Sequence, residues 1–340
     1  MNESEYGMYY TGIIPDRRRI VNVRNNTAVI FVDTRDMSRE DWLEARRKGI
    51  GGSDAAAIMG ANPYVTPLTV YADKIGAAPE KETSEAMRQG TDLEAYVADR
   101  FTEATGIKLR RVNRILQHPE YPWMLANIDR DVVGGDGGFE AKTTNLLNKH
   151  DFENGEVPLN YMWQCQHYMA VTGAPYWYLA ILVLGKAFHV FRIDRDDALI
   201  DRLIQAEQEF WLEHVEKRVP PLPTGSDSDD AALEAIYPES QAGPDADLTD
   251  LNDTLNLIEL LKADKAKLET RIRSAEEEIK AVLGDRERGT AAGWSVSWKS
   301  STRSAVDTKR LRAELPEIAE QYTNTTRTRV FRVNKIKEAG

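Results

Sequence analysis

Residues 134–144, GGDGGFEAKTT, place a glutamate and a lysine two apart, just after a run of glycines, in a segment that reads as a strand. Side chains at i and i+2 of a strand share a face, so Glu140 and Lys142 project together and Ala141 faces the other way. A like-facing acid and base is either a surface ion pair or half of a catalytic site. Which of the two it is depends on what the other segments bring beside that strand.

The chain of 340 residues is long enough for about two domains. Its 41% hydrophobic and 29% charged content is that of a soluble globular protein, and a cytoplasmic location is the expectation. No apolar run approaches the roughly 18 residues of a membrane span. The start, MNESEYGMYYTGIIPDRRR, lacks the basic-then-apolar order of a secretory signal. The single cysteine, Cys165, excludes an intramolecular disulfide and any multi-cysteine metal or iron–sulfur site within one chain. Metal chemistry must then use carboxylates, which favour a hard ion such as Mg²⁺. The net charge of −11 speaks against a simple nucleic-acid coat, but a stretch from Asp227 to Asp250 with no Lys or Arg supplies much of it. Basic clusters stand elsewhere, among them Arg46 to Lys48 and Lys108 to Arg114.

Residues 1–37 read as an N-terminal β-hairpin elaboration, with 19–32 alternating around Asn25-Asn26. A core domain follows over 38–220. Ser38 caps a helix through Trp42 and Ala45, and Ser53 opens a short helix ending at Gly60. A further short helix is expected within 63–75, entered after Pro63 or Pro67, and a longer one over 91–105. Strands are expected at 108–116, 128–133 and 139–144, then a helix over 160–172 ending at Gly173. Two strands about Gly185-Lys186 and a long helix over 196–217 complete the core. VPPLPTGSDSDD opens an acidic linker, 221–250. Residues 251–340 read as a C-terminal extension. Its long amphipathic helix is a helical hairpin arm or coiled coil, interrupted in pattern by Lys265, and strands WSVSWKS and TRVFRVN flank a helix at 307–321.

Asp129 opens the strand eleven residues before Glu140, so a hairpin can set the two carboxylates side by side. They repel unless a cation lies between them, and Mg²⁺ accepts such oxygen ligands. Glu94 shares a helical face with Val97, Ala98 and Phe101, and Gln164 shares one with Tyr161 and Tyr168, so both point inward and need polar partners.

Asp129 followed by Glu140-Ala141-Lys142 resembles the PD-(D/E)XK nuclease signature. By itself that triplet is weak, but its context is ordered. Trp42-x₃-Arg46 leads to Gly51-Gly52-Ser53-Asp54, then Gly90-Thr91-Asp92-Leu93-Glu94, then PEYPWMLANID, and Tyr161-Met162-Trp163-Gln164 follows Lys142. This series, over about residues 38–217, is similar to the YqaJ-type viral recombinase family, the lambda exonuclease type. The resemblance implies an α/β (α+β) restriction-endonuclease-like core, a central mixed sheet flanked by helices. It implies a Mg²⁺-dependent (Mn²⁺ substituting) 5′-to-3′ exonuclease on double-stranded DNA ends that leaves 3′ single strands for phage-type recombination. A single-strand annealing protein of the Bet or RecT type is the implied partner. A homo-oligomer, a ring-shaped trimer in lambda-type relatives, is implied too, with the C-terminal extension leaving the stoichiometry open.

In the roles so implied, Asp129, Glu140 and the Ala141 carbonyl hold the metal, and Glu94 binds a second ion or its waters. Lys142 orients the nucleophile or stabilises charge on the phosphate, and Gln164 holds a water or the lysine. Arg46 and Ser53 grip a terminal 5′-phosphate. One departure is that Ala61-Asn62-Pro63-Tyr64 stands where lambda-type sequences carry a further arginine, with Arg47, Lys48 or Lys74 as alternative substitutes.

Plainer roles stand beside these. Ser53 is also a candidate N-cap, Arg46 a salt-bridge partner for Glu44 or Asp54, Asp131 a supporting carboxylate, and Asp136 a turn residue. Gln166, His167 and Cys165 read as structural, and Trp123 and Trp163 as core or site-wall aromatics. The rival functions are an endonuclease on the same core and a catalytically inactive DNA-binding or assembly protein. An iron–sulfur nuclease is excluded by the lone cysteine.

Overall fold

The computed structural model describes residues 27–78, 84–145, 156–325 and 329–335. The chain forms two compact units, one ending at Pro238 and the other beginning at Glu239.

The first unit is built on a five-stranded mixed sheet of order β2-β5-β6-β7-β8. Its strands are Leu109–Arg111 (β2), Arg130–Val132 (β5), Gly138–Thr144 (β6), Tyr176–Val183 (β7) and Ala187–Asp194 (β8). β6 and β7 pair in parallel, from Gly138 opposite Trp177 to Thr144 opposite Val183, and every other ladder is antiparallel. The near-continuous apolar run of β7 matches its burial on both faces. On one face lies α4 (Glu85–Thr105), whose Val97, Ala98 and Phe101 pack with Phe139, Tyr178 and Ala180. On the other lies α5 (Leu159–Thr172), whose Cys165, Tyr168 and Met169 pack with Trp177, Leu179 and Ile181. Alternation along β6 therefore turns Phe139 and Ala141 toward α4, and Glu140 and Lys142 toward α5.

A second sheet, β1-β3-β4, comprises Val29–Asp33, Arg114–Gln117 and Leu125–Asn127. Against it sits α1 (Arg39–Arg47), with Ser38 as its cap. The following α2 (Gly52–Ile58) and α3 (Pro67–Lys74) continue the layer toward α6 (Asp197–Glu209), which runs on as a π-helical turn over Phe210–Glu216.

Several expectations differ in detail. The expected hairpin at 19–32 has its first strand outside the described residues, and Val29–Asp33 pairs with β3 instead. The expected strand 108–116 breaks at Val112-Asn113, and its halves join different sheets. Helix α4 starts at Glu85, capped by Ser84, ahead of the expected residue 91. α2 begins at Gly52 with Gly51 as its cap, so Ser53 is not the N-cap.

The expected acidic linker 221–250 contains a helix, α7 (Asp227–Ile236), that packs on α3. Asp229 secures it. Thr66 Oγ1 donates to its Oδ1 at 2.5 Å, and the Thr224 amide and hydroxyl donate to Oδ2 at 2.5 and 2.7 Å. Ser226 caps the helix and the acidic first turn suits its N-terminal dipole, so negative charge here makes a helix rather than a spacer.

In the second unit, α8 (Asn252–Leu283) is one uninterrupted helix of 32 residues. Gly284 ends it, and β9 (Arg288–Ala291) and β10 (Trp294–Ser297) form an antiparallel hairpin, of which only the second strand is anticipated from sequence. Pro316 divides the helix expected at 307–321 into α9 (Thr308–Glu314) and α10 (Pro316–Gln321). Of the expected strand TRVFRVN, residues 329–334 are described and are not in a strand.

Asp229→Ala strands the Thr66 and Thr224 donors and is expected to cost about 1–3 kcal/mol. Thermal unfolding should show Tm lower by several degrees. An unchanged Tm would mean that α7 is not part of the core.

Candidate active site

Asp129 lies between β4 and β5, where the chain passes from one sheet to the other. β5 pairs Arg130 with Phe139, so the preceding residue comes level with Glu140-Ala141 beyond the end of the ladder. The Ala141 amide, freed there from strand pairing, donates to Asp129 Oδ2 at 2.9 Å. The Ala141 carbonyl lies on the same edge of β6.

Glu140 is buried, and its Oε1 accepts from Lys142 Nζ at 2.6 Å and from Gln164 Nε2 at 2.7 Å. Gln164 Nε2 also donates to the Tyr168 hydroxyl at 2.8 Å, and that hydroxyl donates to the Asn127 carbonyl at 3.3 Å. Lys142 Nζ lies 5.5 Å from the Tyr161 ring centre, a cation–π approach. Among the described residues, Glu140 Oε2 is buried without a hydrogen-bond partner. A buried carboxylate oxygen left unpaired next to a second carboxylate is the arrangement a bound cation would complete.

The electrostatics follow from that crowding. Burial first, and the Asp129 charge second, push the Glu140 carboxyl up to about 7 while Lys142 pulls it down. Burial also raises Asp129, against the Ala141 amide and the Lys142 charge. Burial opposes the charge on Lys142, but Glu140 and then Asp129 hold it above the usual lysine value.

Glu94 is drawn aside from the two carboxylates: its Oε1 accepts from Arg130 Nη2 at 3.2 Å. Burial and the Asp129 charge raise its carboxyl, with Arg130 opposing. Among the described residues no group of three or more His, Cys, Asp or Glu side chains forms a ready metal cage. Two carboxylates and a carbonyl nevertheless fit Mg²⁺, which keeps several waters and takes one or two carboxylates beside a substrate phosphate.

Arg46 and Ser53 also come together, with Arg46 Nη2 donating to Ser53 Oγ at 3.3 Å. The guanidinium stacks over Trp42 at 4.6 Å, and no salt bridge joins it to Glu44 or Asp54 among the described residues. Lys74 is not a free substitute for the absent arginine. Its side chain is 1% exposed, and Nζ is held by Asp54 Oδ2 at 2.6 Å and the Arg46 carbonyl at 3.2 Å. Asp54 Oδ2 also accepts from the Gly51 amide at 2.9 Å, so this pair fixes the loop that carries Arg46 and Ser53. Arg47 faces Asp73 at 3.6 Å, and Lys48 faces Glu44 at 3.5 Å.

Gly52 joins the two clusters. A Cβ placed on it would lie 2.6 Å from Tyr168 Cε1 and 3.0 Å from Gln164 Cγ. The absent side chain lets α2 rest on the helix that carries Gln164, which brings the Arg46–Ser53 pair beside the carboxylates.

Arg130, Tyr168 and Asn127 were not assigned roles from sequence. Arg130 directly follows Asp129 but pairs with Phe139 on the α4 face, where it reaches Glu94. Asp131 pairs with Arg110 at 2.9 Å rather than supporting the site. Gln166 bonds the backbone of Asp194 and Asp196, and His167 is fully buried between Glu207 and the Leu125 carbonyl, at 2.7 and 2.9 Å.

Residues 41–175 match the YqaJ-like viral recombinase domain. Over 313 residues, 91% of this chain and 98% of the relative, the chain is 37% identical to "Uncharacterized protein YqaJ" of Bacillus subtilis (strain 168). The chain belongs to the YqaJ-like viral recombinase family. Among solved structures, the family member described here is similar to LHK-Exo, an alkaline exonuclease from Laribacter hongkongensis. Identity is 25%, with 53% of this chain and 94% of that one covered and a TM-score of 0.46. A phage-related exonuclease from Haemophilus somnus 129PT is 14% identical, with 50% and 96% covered and a TM-score of 0.40. No helix among the described residues is long and apolar enough to cross a membrane.

In metal-free protein, the raised Glu140 pKa stabilises the fold below about pH 4.5 and loses that contribution as pH rises through about 7. Glu140→Gln is therefore expected to unfold at a higher temperature than wild type at pH 8, and at nearly the same temperature at pH 4.5. Melting curves in chelator across this range check it. An equal difference at both ends would mean that Glu140 does not titrate there.

Proposed function

We propose that this protein is a metal-dependent deoxyribonuclease that digests double-stranded DNA from its ends, 5′ to 3′, and leaves a 3′ single strand for recombination by strand annealing. The observation that carries the reading is the buried Glu140, with one oxygen bound by Lys142 and Gln164 and the other unpartnered beside Asp129.

Asp129, Glu140 and the Ala141 carbonyl would hold Mg²⁺, or Mn²⁺ in its place. Such an ion supplies polarisation of the scissile phosphate and an acidified water. Lys142, fixed by Glu140, presents a positive charge to the phosphate where negative charge grows during hydrolysis. Gln164 keeps Glu140 in its rotamer and passes that order on to Tyr168. Glu94, near enough to Asp129 to feel its charge, serves a second ion or its waters. Arg46 offers its fork and Ser53 its hydroxyl to a terminal 5′-phosphate, one residue from the glycine that touches Gln164. End recognition and hydrolysis would then act on neighbouring positions of one strand. A homo-oligomer, a trimer on the resemblance to lambda-type enzymes, and a single-strand annealing partner in the cytoplasm of a bacterial host complete the proposal.

The test compares a linear 5′-phosphorylated duplex with a closed circular duplex, each with Mg²⁺ and with chelator. Loss of the linear DNA alone, and only with Mg²⁺, is the expected result. Cutting of the circle would make the protein an endonuclease, and binding without cleavage of either DNA would make it an inactive DNA-binding module. Lys142→Ala should lower kcat by about 10²- to 10³-fold with little change in DNA affinity. Arg46→Ala should erase the preference for 5′-phosphate over 5′-hydroxyl ends, measured as the ratio of initial rates.

A further inference from the structure

The second unit carries a surface that the catalytic reading does not use. Along α8 the a positions of a heptad are Leu251 (its cap), Ile258, Lys265, Ile272 and Ile279. The d positions are Thr254, Leu261, Leu268, Ala275 and Val282. Steps of three and four residues alternate without a slip, which is the 3.5-residue period of a helix–helix seam. That seam faces solvent: Leu261 is 57% exposed, Leu268 55%, Ile272 59% and Val282 76%. An apolar stripe of this length left in water, interrupted by Lys265 and by Thr254 near its start, marks an interface.

We propose that α8 pairs antiparallel with α8 of a second copy of this chain, in the register that sets Lys265 opposite Leu268. This inference does not rest on the nuclease reading. The charges beside the seam choose the orientation. In a parallel, in-register pair each a residue meets its own copy, so two Lys265 ammonium groups face each other in the seam. The flanking g and e positions then also bring Asp264 against Glu269.

The antiparallel register removes both conflicts. It sets Asp264 beside Arg271 and Lys262 beside Glu269, and two-fold symmetry makes each pair occur twice. In the seam it places Ile272 against Leu261 and Ile258 against Ala275, and it overlaps the helices along nearly their whole length. Registers one heptad step away in either direction fail on charge, since one opposes Asp264 to Asp264 and the other Arg271 to Arg271. The surface therefore fits this same helix, reversed, and its effect is to double whatever number of chains the first unit assembles.

The test uses the full chain and no DNA. Ile258→Cys is made alone and together with Ala275→Cys, and each protein is mildly oxidised; Cys165, being buried, does not compete. In the proposed register positions 258 and 275 of two copies face each other. The two copies of position 258 lie about 25 Å apart along the axis at 1.5 Å per residue, beyond the roughly 7 Å reach of a disulfide. The double variant is expected to cross-link into dimers and the single variant is not. Ile272→Glu should halve the particle mass in sedimentation equilibrium. Cross-linking of Ile258→Cys alone would establish a parallel pair and overturn the proposal. So would an absence of cross-links in both variants with the Ile272→Glu mass unchanged, since the stripe would then belong to another segment or partner.

Discussion

The first unit is organised around one carboxylate that its surroundings only half accommodate. Glu140 sits under α5 with Oε1 bound twice and Oε2 bound by nothing described, and Asp129 adds a like charge beside it. An unpartnered buried polar atom costs about 1–3 kcal/mol. Apolar packing on both faces of β7, and of α4 and α5 against it, offsets that cost. The sheet order makes the arrangement available: β5 stops at Arg130, one residue short, so the edge of β6 at Ala141 is left open to Asp129.

α5 holds the site steady from the other side. From Trp163 to Thr172 every residue is buried, so Gln164 and Tyr168 cannot move without disturbing the core. The polar groups on this helix face partners in several directions. Gln166 takes the backbone at Asp194 and Asp196, and His167 spans from Glu207 on α6 to the Leu125 carbonyl on β4. Burial alone would lower the His167 pKa, but the Glu207 charge raises it, which favours the form that donates to both. A helix fixed by these ties can hold Gln164 at one distance from Glu140.

Local rules made much of this legible in the sequence. Ser38 as a cap, Gly173 in the left-handed region ending α5, and Gly185 turning β7 into β8 each follow from chemistry that acts over a few residues. The strand period alone placed Glu140 and Lys142 on a common face. What escaped depended on distance along the chain. Ser226, Asp227 and Asp229 compose a linker as readily as a helix start, and the contacts with α3 and Thr66, far away in sequence, favour the helix. Arg130 stands opposite Phe139 on the α4 face of the sheet, and only the packing of α4 there, far away in sequence, brings Glu94 to it. Ser53 lost its expected capping role because the cap falls two residues earlier, on Gly51, and the helix begins where Gly52 must pass under Tyr168.

That contact at Gly52 also bears on how the protein could change over evolutionary time. The residues that meet there come from helices more than a hundred positions apart in the chain, and the fit depends on an atom that is absent rather than on one that attracts. Attractive contacts can be exchanged for others of similar strength, but a void can only be kept or filled. Drift at this position would therefore leave both clusters chemically intact and change only the spacing between them. Such a change would be invisible in a catalogue of the site's functional side chains.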